Sequence, residues 1–176
     1  MKHKDIIIGL AITIVLVVID QLLKLWVISR FKEAGVVKAI PKIIDIQYVE
    51  NSGAAFGIFA GRLWLFILIT VLALAFFGFL AKDLNFKEHP FYSVGIVLII
   101  SGTVGNFIDR IFRGYVVDFI QFAFWQTFAT FNFADMCIVC GVATMVISLL
   151  FGEVKLEWLN IVLPILKKKK KELIYI

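Results

Sequence analysis

Four long apolar segments dominate this sequence and limit what the chain can fold into. They are residues 6–28, 63–81, 91–108 and 135–151. Each is close to the ~20 residues with which an α-helix, rising about 1.5 Å per residue, crosses the ~30 Å hydrocarbon core of a bilayer. The second segment carries no charge and is bracketed by Arg62 and Lys82. The pattern predicts four membrane-spanning helices joined by short links.

The composition agrees with a membrane protein and argues against a soluble one. Hydrophobic residues make up 61% of the 176 residues, and the mean hydropathy is +0.97. Ordinary soluble domains are about 45–50% apolar, and a soluble chain of this length has too little interior to bury so much apolar surface. We therefore predict one four-span domain over residues 1–152, followed by a cytoplasmic lysine-rich tail over 153–176, which we interpret as a lipid-facing anchor.

The links between the segments differ in character. Residues 43–50 partly alternate between apolar and polar side chains, which favours a strand within the longer link 30–61. The link 113–134 is rich in aromatic residues, which suit the membrane interface. The predicted fold is a membrane all-α protein with a small β region. It has four transmembrane helices, a small extracytoplasmic β-sheet and a surface helix or loop.

Positive charges predict the orientation. Four spans put both termini on one side, and that side carries ten lysines, five of them in the run 167–171, against seven lysines and arginines on the other side. Because cytoplasmic loops carry the excess of lysine and arginine, we expect both termini in the cytoplasm. The net charge of +5 then reflects topology and attraction to membrane lipids, and we expect no nucleic-acid partner.

Charged residues inside an apolar span are costly and usually functional. Asp20 and Lys24 stand four apart in the first span, so they share a helix face and form a favourable pair. Two interpretations stay open. In the first, Lys24 extends its ammonium towards the interface and its neighbour neutralises it; in the second, the pair supports a functional site.

The end of the third span places polar residues on one face. At about 100° per residue, five positions fall within about 140° of each other; they are Gly102, Gly105, Asn106, Asp109 and Arg110. Glycines let helices approach closely, so the polar side chains would face protein rather than lipid. A structural alternative is that Asp109 and Arg110 simply pair with each other and fix the helix end.

Two further aspartates lie among apolar residues, Asp118 after a pair of valines and Asp135 at the start of the fourth span. Two carboxyls that meet in an apolar setting cannot both ionise easily, so one keeps a proton. Such a pair can activate a water and protonate a leaving amine, as peptide hydrolysis requires. Equally, each aspartate could be a separate helix N-cap.

Other catalytic and metal-binding patterns are missing from the sequence. Cys137 and Cys140 form a C-x-x-C pair inside an apolar run, and the two histidines, His3 and His89, lie in polar ends and loops. We interpret the cysteines as small buried hydrophobic residues and expect no metal and no cofactor. There is no H-E-x-x-H, no G-x-S-x-G and no phosphate-binding glycine loop.

Five short motifs, in this order, resemble those of the bacterial lipoprotein signal peptidases, or signal peptidase II. They are Asp-Gln-Leu-Leu-Lys at 20–24, Asn-Ser-Gly-Ala-Ala-Phe-Gly at 51–57, Gly-Asn-Phe-Ile-Asp-Arg at 105–110, Val-Val-Asp-Phe at 116–119 and Phe-Asn-Phe-Ala-Asp at 131–135. Each motif is weak alone, but five in order are highly specific. The resemblance covers residues 6–152.

The resemblance implies an aspartic endopeptidase that removes the signal peptide from diacylglyceryl-modified prolipoproteins, cutting before the lipidated cysteine. Asp118 and Asp135 would form the catalytic dyad. The residues that would bind substrate or support the dyad are Asp20, Lys24, Asn51, Gly53, Asn106, Asp109, Arg110, Asn132 and Ala134. It further implies the bacterial cell membrane, with the active site towards the outer leaflet. We expect a monomer surrounded by membrane lipids.

Two functions from other classes compete with a peptidase. Small ion- or proton-coupled transporters also use aspartate and lysine within the membrane. Against a transporter, the second half of the chain does not repeat the first, and the carboxylates cluster towards one membrane face. A non-catalytic membrane scaffold would leave Asp118, Asn132 and Asp135 without a role beyond capping.

Overall fold

The computed structural model describes residues 2–53 and 62–152. The described elements, in chain order, are α1 (Lys2–Phe31), β1 (Val37–Ile40), β2 (Ile44–Asn51), α2 (Leu63–Leu80), α3 (Pro90–Phe112), β3 (Val116–Phe122) and α4 (Phe133–Leu150), with a 3-10 turn at Ala81–Asp83 after α2. The predicted tail 153–176 and residues 54–61, which include most of the 51–57 motif, lie outside the described residues.

All four α-helices in the described part of the chain are long and apolar enough to cross a membrane, at His3–Phe31, Leu63–Asp83, Pro90–Phe112 and Phe133–Leu150. The prediction of four membrane helices with a small sheet is confirmed. Over its most apolar stretch α3 buries 56% of its residues, against 11% for α1 and 6% for α2. Helix α3 is therefore the central helix, and the outward apolar faces of α1 and α2 are left for lipid.

Two helices extend past the ends of their apolar segments. The third apolar segment ends at 108, but α3 continues to Phe112 and keeps Asp109 and Arg110 within the helix. Helix α4 begins at Phe133, two residues before Asp135. The helices continue past these charged side chains because residues on other elements pair with the charges. Hydropathy is calculated along the sequence, so it gives no information about such partners.

The sheet is antiparallel, with strand order β1-β2-β3. Strands β1 and β2 come from the link where a sheet was predicted, but β3 comes from the aromatic link, for which an interfacial segment was predicted and no strand. Gly114, with φ of +81°, makes the turn that leads from α3 into β3, and residues 123–132 form the loop that follows. The valines before Asp118 pair with β2, which explains the strand.

The sheet is fixed to the C-terminal end of α1 by a small apolar core. Val27 of α1 is fully buried, as is Val117 of β3, and Phe119 is 4% exposed. Partly buried side chains such as Leu23 and Ile46 complete this cluster. This packing holds β3 at the level where α1 and α3 end and α4 begins.

Helices α3 and α4 pack closely through glycine. A Cβ atom on Gly102 would lie 2.2 Å from the carbonyl oxygen of Ala134, and one on Gly95 would lie 3.0 Å from the carbonyl oxygen of Gly141. A Cβ on Gly105 would lie 2.7 Å from Oδ2 of Asp20. The predicted close approach at the α3 glycines is therefore present, and it brings the polar face of α3 against α1 and α4.

Candidate active site

Asp118 and Asp135 line the same cavity, although they come from different elements. Asp118 lies within β3 and is 2% exposed, while Asp135 lies in the first turn of α4. The cavity has a volume of about 460 Å³. Its polar lining consists of Asn51, Gly53, Asn106, Arg110, Asp118, Thr130 and Asp135. The structure thus brings together two carboxyls that are 17 residues apart in the sequence.

Asp118 is held by two asparagine amides. Asn51 donates from Nδ2 to Oδ2 of Asp118 at 2.8 Å, and Asn132 donates from Nδ2 to Oδ1 at 2.7 Å. The register of the sheet, with Asn51 opposite Val116, places the first amide beside the carboxyl. The backbone N–H of Gly53 donates to Oδ1 of Asn51 at 3.0 Å, which orients that amide.

Asp135 is held by Asn106 and by the cap of its own helix. Asn106 donates from Nδ2 to Oδ1 of Asp135 at 2.7 Å. The backbone N–H of Asn132 donates to Oδ2 of Asp135 at 3.1 Å, and Oδ1 of Asn132 accepts from the Asp135 N–H at 3.0 Å. This is a capping box with Asn132 as the N-cap. The alternative that both aspartates are N-caps is wrong, since Asp118 lies within a strand and Asp135 is at N3.

Asn132 links the two carboxyls. Its side chain donates to Asp118 and its backbone donates to Asp135. Burial, and after it the negative charge of Asp135, raise the pKa of Asp118 from 3.8 to about 7, against the lowering effect of the amides of Asn51 and Asn132 and of the charge of Lys24. Below about pH 7 this arrangement therefore favours a proton on Asp118.

Behind the asparagines lies a buried ionic cluster centred on Lys24. Its ammonium is 2.9 Å from Oδ2 of Asp20 and 2.9 Å from Oδ2 of Asp109, and it donates to Oδ1 of Asn106 at 3.0 Å. Lys24 has 0% exposure. The interpretation of a lysine extending towards the interface is therefore wrong, because two carboxylates hold the ammonium inside the protein.

Asp109 binds elements together and does not pair with Arg110. It forms ion pairs with Lys24 and with Arg113, and its Oδ2 accepts the backbone N–H of Val117 at 3.1 Å. The guanidinium of Arg110 instead lies 5.0 Å from the ring centroid of Phe66 and lines the cavity. Asp109 and Arg110 are adjacent in the helix, so their side chains point in different directions. The alternative that they pair with each other is therefore wrong.

Ala134 and Asp20 connect α4 to α1. The backbone N–H of Ala134 donates to Oδ1 of Asp20 at 3.0 Å, so this carboxylate satisfies an N–H in the first turn of α4. Ala134 is 1% exposed and leaves no room for a larger side chain beside Gly105. Both predicted supporting residues therefore lie beside the site, since Ala134 directly precedes Asp135 in the chain and Asp20 contacts Ala134.

Two members of this cluster were missing from the predicted site. Gln21 donates to Oδ2 of Asp20 at 3.1 Å and to the carbonyl of Gly105 at 3.1 Å, and Arg113 donates to Oε1 of Gln21 at 3.1 Å. A signal for Gln21 was present, because it is a polar residue within an apolar span. Arg113 lies one helical turn after Asp109, which is the spacing of an ion pair.

The cysteines lie in different surroundings. Cys137 is buried, as predicted, but Cys140 is exposed and lines the cavity. The prediction that both are buried is wrong for Cys140, because α4 packs on α3 through one face only. In the part of the chain that the structure describes, no three potential ligands are grouped as a metal site would need.

Four spanning helices and a cavity that joins two aspartates define a multi-pass membrane protein with a polar site at one end of its helices. The family described as signal peptidase (SPase) II matches residues 12–151. The chain is 40% identical over 145 residues to the lipoprotein signal peptidase of Clostridioides difficile, which covers 82% of this chain and 95% of that protein. The lipoprotein signal peptidase of Latilactobacillus sakei is 38% identical over 134 residues, or 76% and 87% of the two chains.

Solved structures agree with the sequence relatives. Two bacterial membrane enzymes solved by the in meso method superpose with TM-scores of 0.72 and 0.71, at 33% and 32% identity. Each covers 81% of this chain, and the chain covers 92% and 87% of theirs. The chain therefore belongs to the signal peptidase II family, a family of membrane peptidases.

Proposed function

We propose that this protein is an intramembrane aspartic endopeptidase that removes the signal peptide from diacylglyceryl-modified prolipoproteins. It would cut before the lipidated cysteine. One observation carries the proposal: Asp118 and Asp135 line one cavity and are joined through Asn132. Membership of the signal peptidase II family supports the substrate class.

The pair can hydrolyse a peptide bond with its own groups. Asp135 acts as the carboxylate and takes a proton from water, while the water oxygen attacks the scissile carbonyl carbon. Asp118 acts as the acid and donates its proton to the carbonyl oxygen. The C–N bond then breaks, the proton on Asp135 passes to the amine nitrogen, and a hydroxyl proton of the intermediate returns to Asp118. The pair ends with one proton, as it began.

The assignment of the acid to Asp118 rests on its surroundings. Its 2% exposure and the neighbouring negative charge raise its pKa to about 7, so it can keep a proton near neutral pH. The four amide or backbone N–H groups on the two carboxyls fix their positions, so little reorganisation is needed during the reaction.

The cavity suits a peptide that carries a lipid. Besides its polar residues, the cavity is lined by apolar and aromatic side chains, which are Phe122, Phe128, Phe131, Met136, Val139 and Cys140. Val139 is 67% exposed, on a helix that crosses the membrane, so this side of the cavity borders the lipid. Acyl chains could stay in the bilayer while the peptide enters the polar end. The small Gly53 at that end allows close backbone approach.

The proposed location is the bacterial cell membrane, with both termini in the cytoplasm and the site towards the outer leaflet. The site lies where α1 and α3 end and α4 begins, which is the side opposite the N-terminus of α1. The excess of lysine on the terminal side supports the same orientation. Residues 1–152 would form one peptidase domain, acting as a monomer, with 153–176 as the cytoplasmic anchor.

The first test is cleavage of a diacylglyceryl-modified prolipoprotein peptide by the purified protein in lipid. We expect Asp118→Asn and Asp135→Asn each to lower kcat by at least about 1,000-fold, because each removes a proton-transfer group. The matched control is Asp83→Asn, at an exposed position after α2, which should cleave at the parent rate. Cleavage that survives in a folded Asp118→Asn or Asp135→Asn variant would contradict the dyad. No cleavage by the folded parent would contradict the peptidase and favour a transporter.

A further inference from the structure

Asn106 stands between the ionic cluster and the aspartate pair. Its Nδ2 donates to Asp135 at 2.7 Å, while its Oδ1 accepts from Lys24 at 3.0 Å and from Asn132 at 3.1 Å. The two ends of an asparagine amide have nearly the same shape but opposite hydrogen-bonding character. The neighbours of Asn106 therefore decide whether a donor or an acceptor faces Asp135.

Lys24 has only donors to offer. Because its ammonium contacts the amide, the amide end that faces it must be the oxygen, and the nitrogen must then face Asp135. Among the described residues, Lys24 is the one positively charged group that hydrogen-bonds to the Asn106 side chain. A charged donor on the oxygen also polarises the amide, which strengthens the N–H bond at its other end.

The side-chain amide of Asn132 is oriented without a contact from Lys24. The backbone N–H of Asp135 already fixes its oxygen at 3.0 Å, and its Nδ2 is shared between Asp118 and Asn106. The contact of Lys24 is therefore specific to Asn106. Lys24 is itself held by Asp20 and Asp109, each at 2.9 Å, with no exposure of its side chain to solvent.

We propose that Lys24 is a positioning residue. By occupying the oxygen of Asn106, it holds the Asn106 N–H on Asp135 and so sets the pH at which the aspartate pair takes up its single negative charge. It does not itself contact the pair. The effect on catalysis rests on the proposed function, whereas the effect on the charge of the pair does not.

Other charged groups surround this contact and must be separated from it. They are Asp20 on α1, Asp109, Arg110 and Arg113 on α3, and Asp118 on β3, to which the neutral amide of Asn51 on β2 donates. A plain loss of positive charge would act through the field of the whole cluster. The double variant Lys24→Met/Asp20→Asn removes one positive and one negative charge together. A shift that survives in it comes through the contact with Asn106.

The test follows the titration of the pair directly, by infrared spectroscopy of the protein in lipid. The bands of the protonated carboxyls are assigned with Asp118→Asn and Asp135→Asn. In Lys24→Met/Asp20→Asn we expect the first ionisation of the pair to move up by about one pH unit, because one hydrogen bond to a charged carboxylate is weakened. Lys24→Arg, which keeps a charged donor, should restore most of the parent midpoint.

The matched control is Arg113→Met, which removes an ion pair from the same cluster without touching Asn106. It should lower the thermal midpoint and move the titration much less than the double variant does, because the field of the lost charge acts alone. An unchanged titration in the folded double variant, or an equal shift in Arg113→Met, would overturn the proposal. If the double variant does not fold, Lys24→Leu/Asp20→Asn gives the same comparison, because it also removes one charge of each sign and leaves no donor for the Asn106 oxygen.

Kinetics then separate this proposal from the proposed function. In the double variant we expect kcat to fall by about 10- to 100-fold with little change in KM, and the acid limb of the rate profile to move with the infrared midpoint. If the double variant shifts the titration but the parent never cleaves the peptide, the proposed peptidase function is contradicted and the role of Lys24 stands. If the parent cleaves fully but the titration does not move in the double variant, the role of Lys24 is contradicted and the peptidase function stands.

Discussion

At the scale of single residues, the environment of Asp118 dominates the chemistry. Its pKa rises from 3.8 to about 7 on folding, first through burial and then through the charge of Asp135. The folded state therefore binds this proton more tightly than the unfolded state does. Stability falls as the pH rises between these two values, because the unfolded chain can ionise the carboxyl at lower cost.

This sign gives a prediction for stability. Asp118→Asn should make the thermal midpoint in detergent less dependent on pH between pH 4 and 7, by an amount equivalent to at most about 4 kcal/mol. Asp83→Asn, at an exposed position, should leave the parent dependence in place. A parent whose midpoint rises steadily over this range would contradict the raised pKa.

The same carboxyl predicts the pH dependence of activity. The value of kcat/KM should fall above pH 7 as the pair loses its last proton, because the acid is then missing. The apparent pKa belongs to the pair and not to either aspartate. Rates of peptide cleavage measured from pH 4 to 10 provide the check, and a rate that stays flat to pH 10 would exclude Asp118 as the acid.

At the scale of elements, the close contact of α3 with α4 sets the distance between the asparagine of one helix and the aspartate of the other. Asn106 lies one turn after Gly102, and Gly102 faces the carbonyl of Ala134, the residue before Asp135. Any added bulk at Gly102 must push the two helices apart. The hydrogen bond from Asn106 to Asp135 depends on this contact.

We therefore predict that Gly102→Ala is destabilising. A Cβ 2.2 Å from the carbonyl oxygen of Ala134 should cost about 1–3 kcal/mol and lower cleavage as well. The matched control is Gly78→Ala on α2, where nothing lies within 4 Å of the added carbon. It should be neutral or slightly stabilising. Equal thermal midpoints for the two variants would contradict the tight packing.

At the scale of the whole molecule, orientation is the property that links the fold to its substrate. The sheet and the site lie at one end of the helices, and the link between α2 and α3 lies at the other. If the termini are cytoplasmic, the sheet faces outwards and the link faces the cytoplasm. Both regions offer exposed lysines, Lys38 in β1 and Lys87 in the link.

Cysteine labelling tests this orientation. In a background of Cys137→Ser and Cys140→Ser, Lys38→Cys should react with a membrane-impermeant maleimide on intact cells. Lys87→Cys should react only after the membrane is opened. The reverse pattern would place the site on the cytoplasmic side and contradict the proposed orientation.

The sequence by itself determined the four membrane helices, the strand at 43–50 and the family. Hydropathy, alternation and short motifs are local properties, and each can be read from neighbouring residues. The sequence also determined the face of α3 that carries small and polar residues. Helical periodicity places Gly102, Gly105 and Asn106 on one face whatever surrounds the helix. Local reading missed β3, because that strand depends on pairing with β2, which is far away in the sequence.

Only the tertiary structure decided which polar residues meet. It paired Asp109 with Lys24 and Arg113 instead of Arg110, made Asn132 the link between two carboxyls, and buried Lys24 completely. The physical reason is that a charge in an apolar interior must find its partner wherever the fold supplies one. Apart from Arg113, those partners lie on other elements, so spacing along one helix cannot identify them.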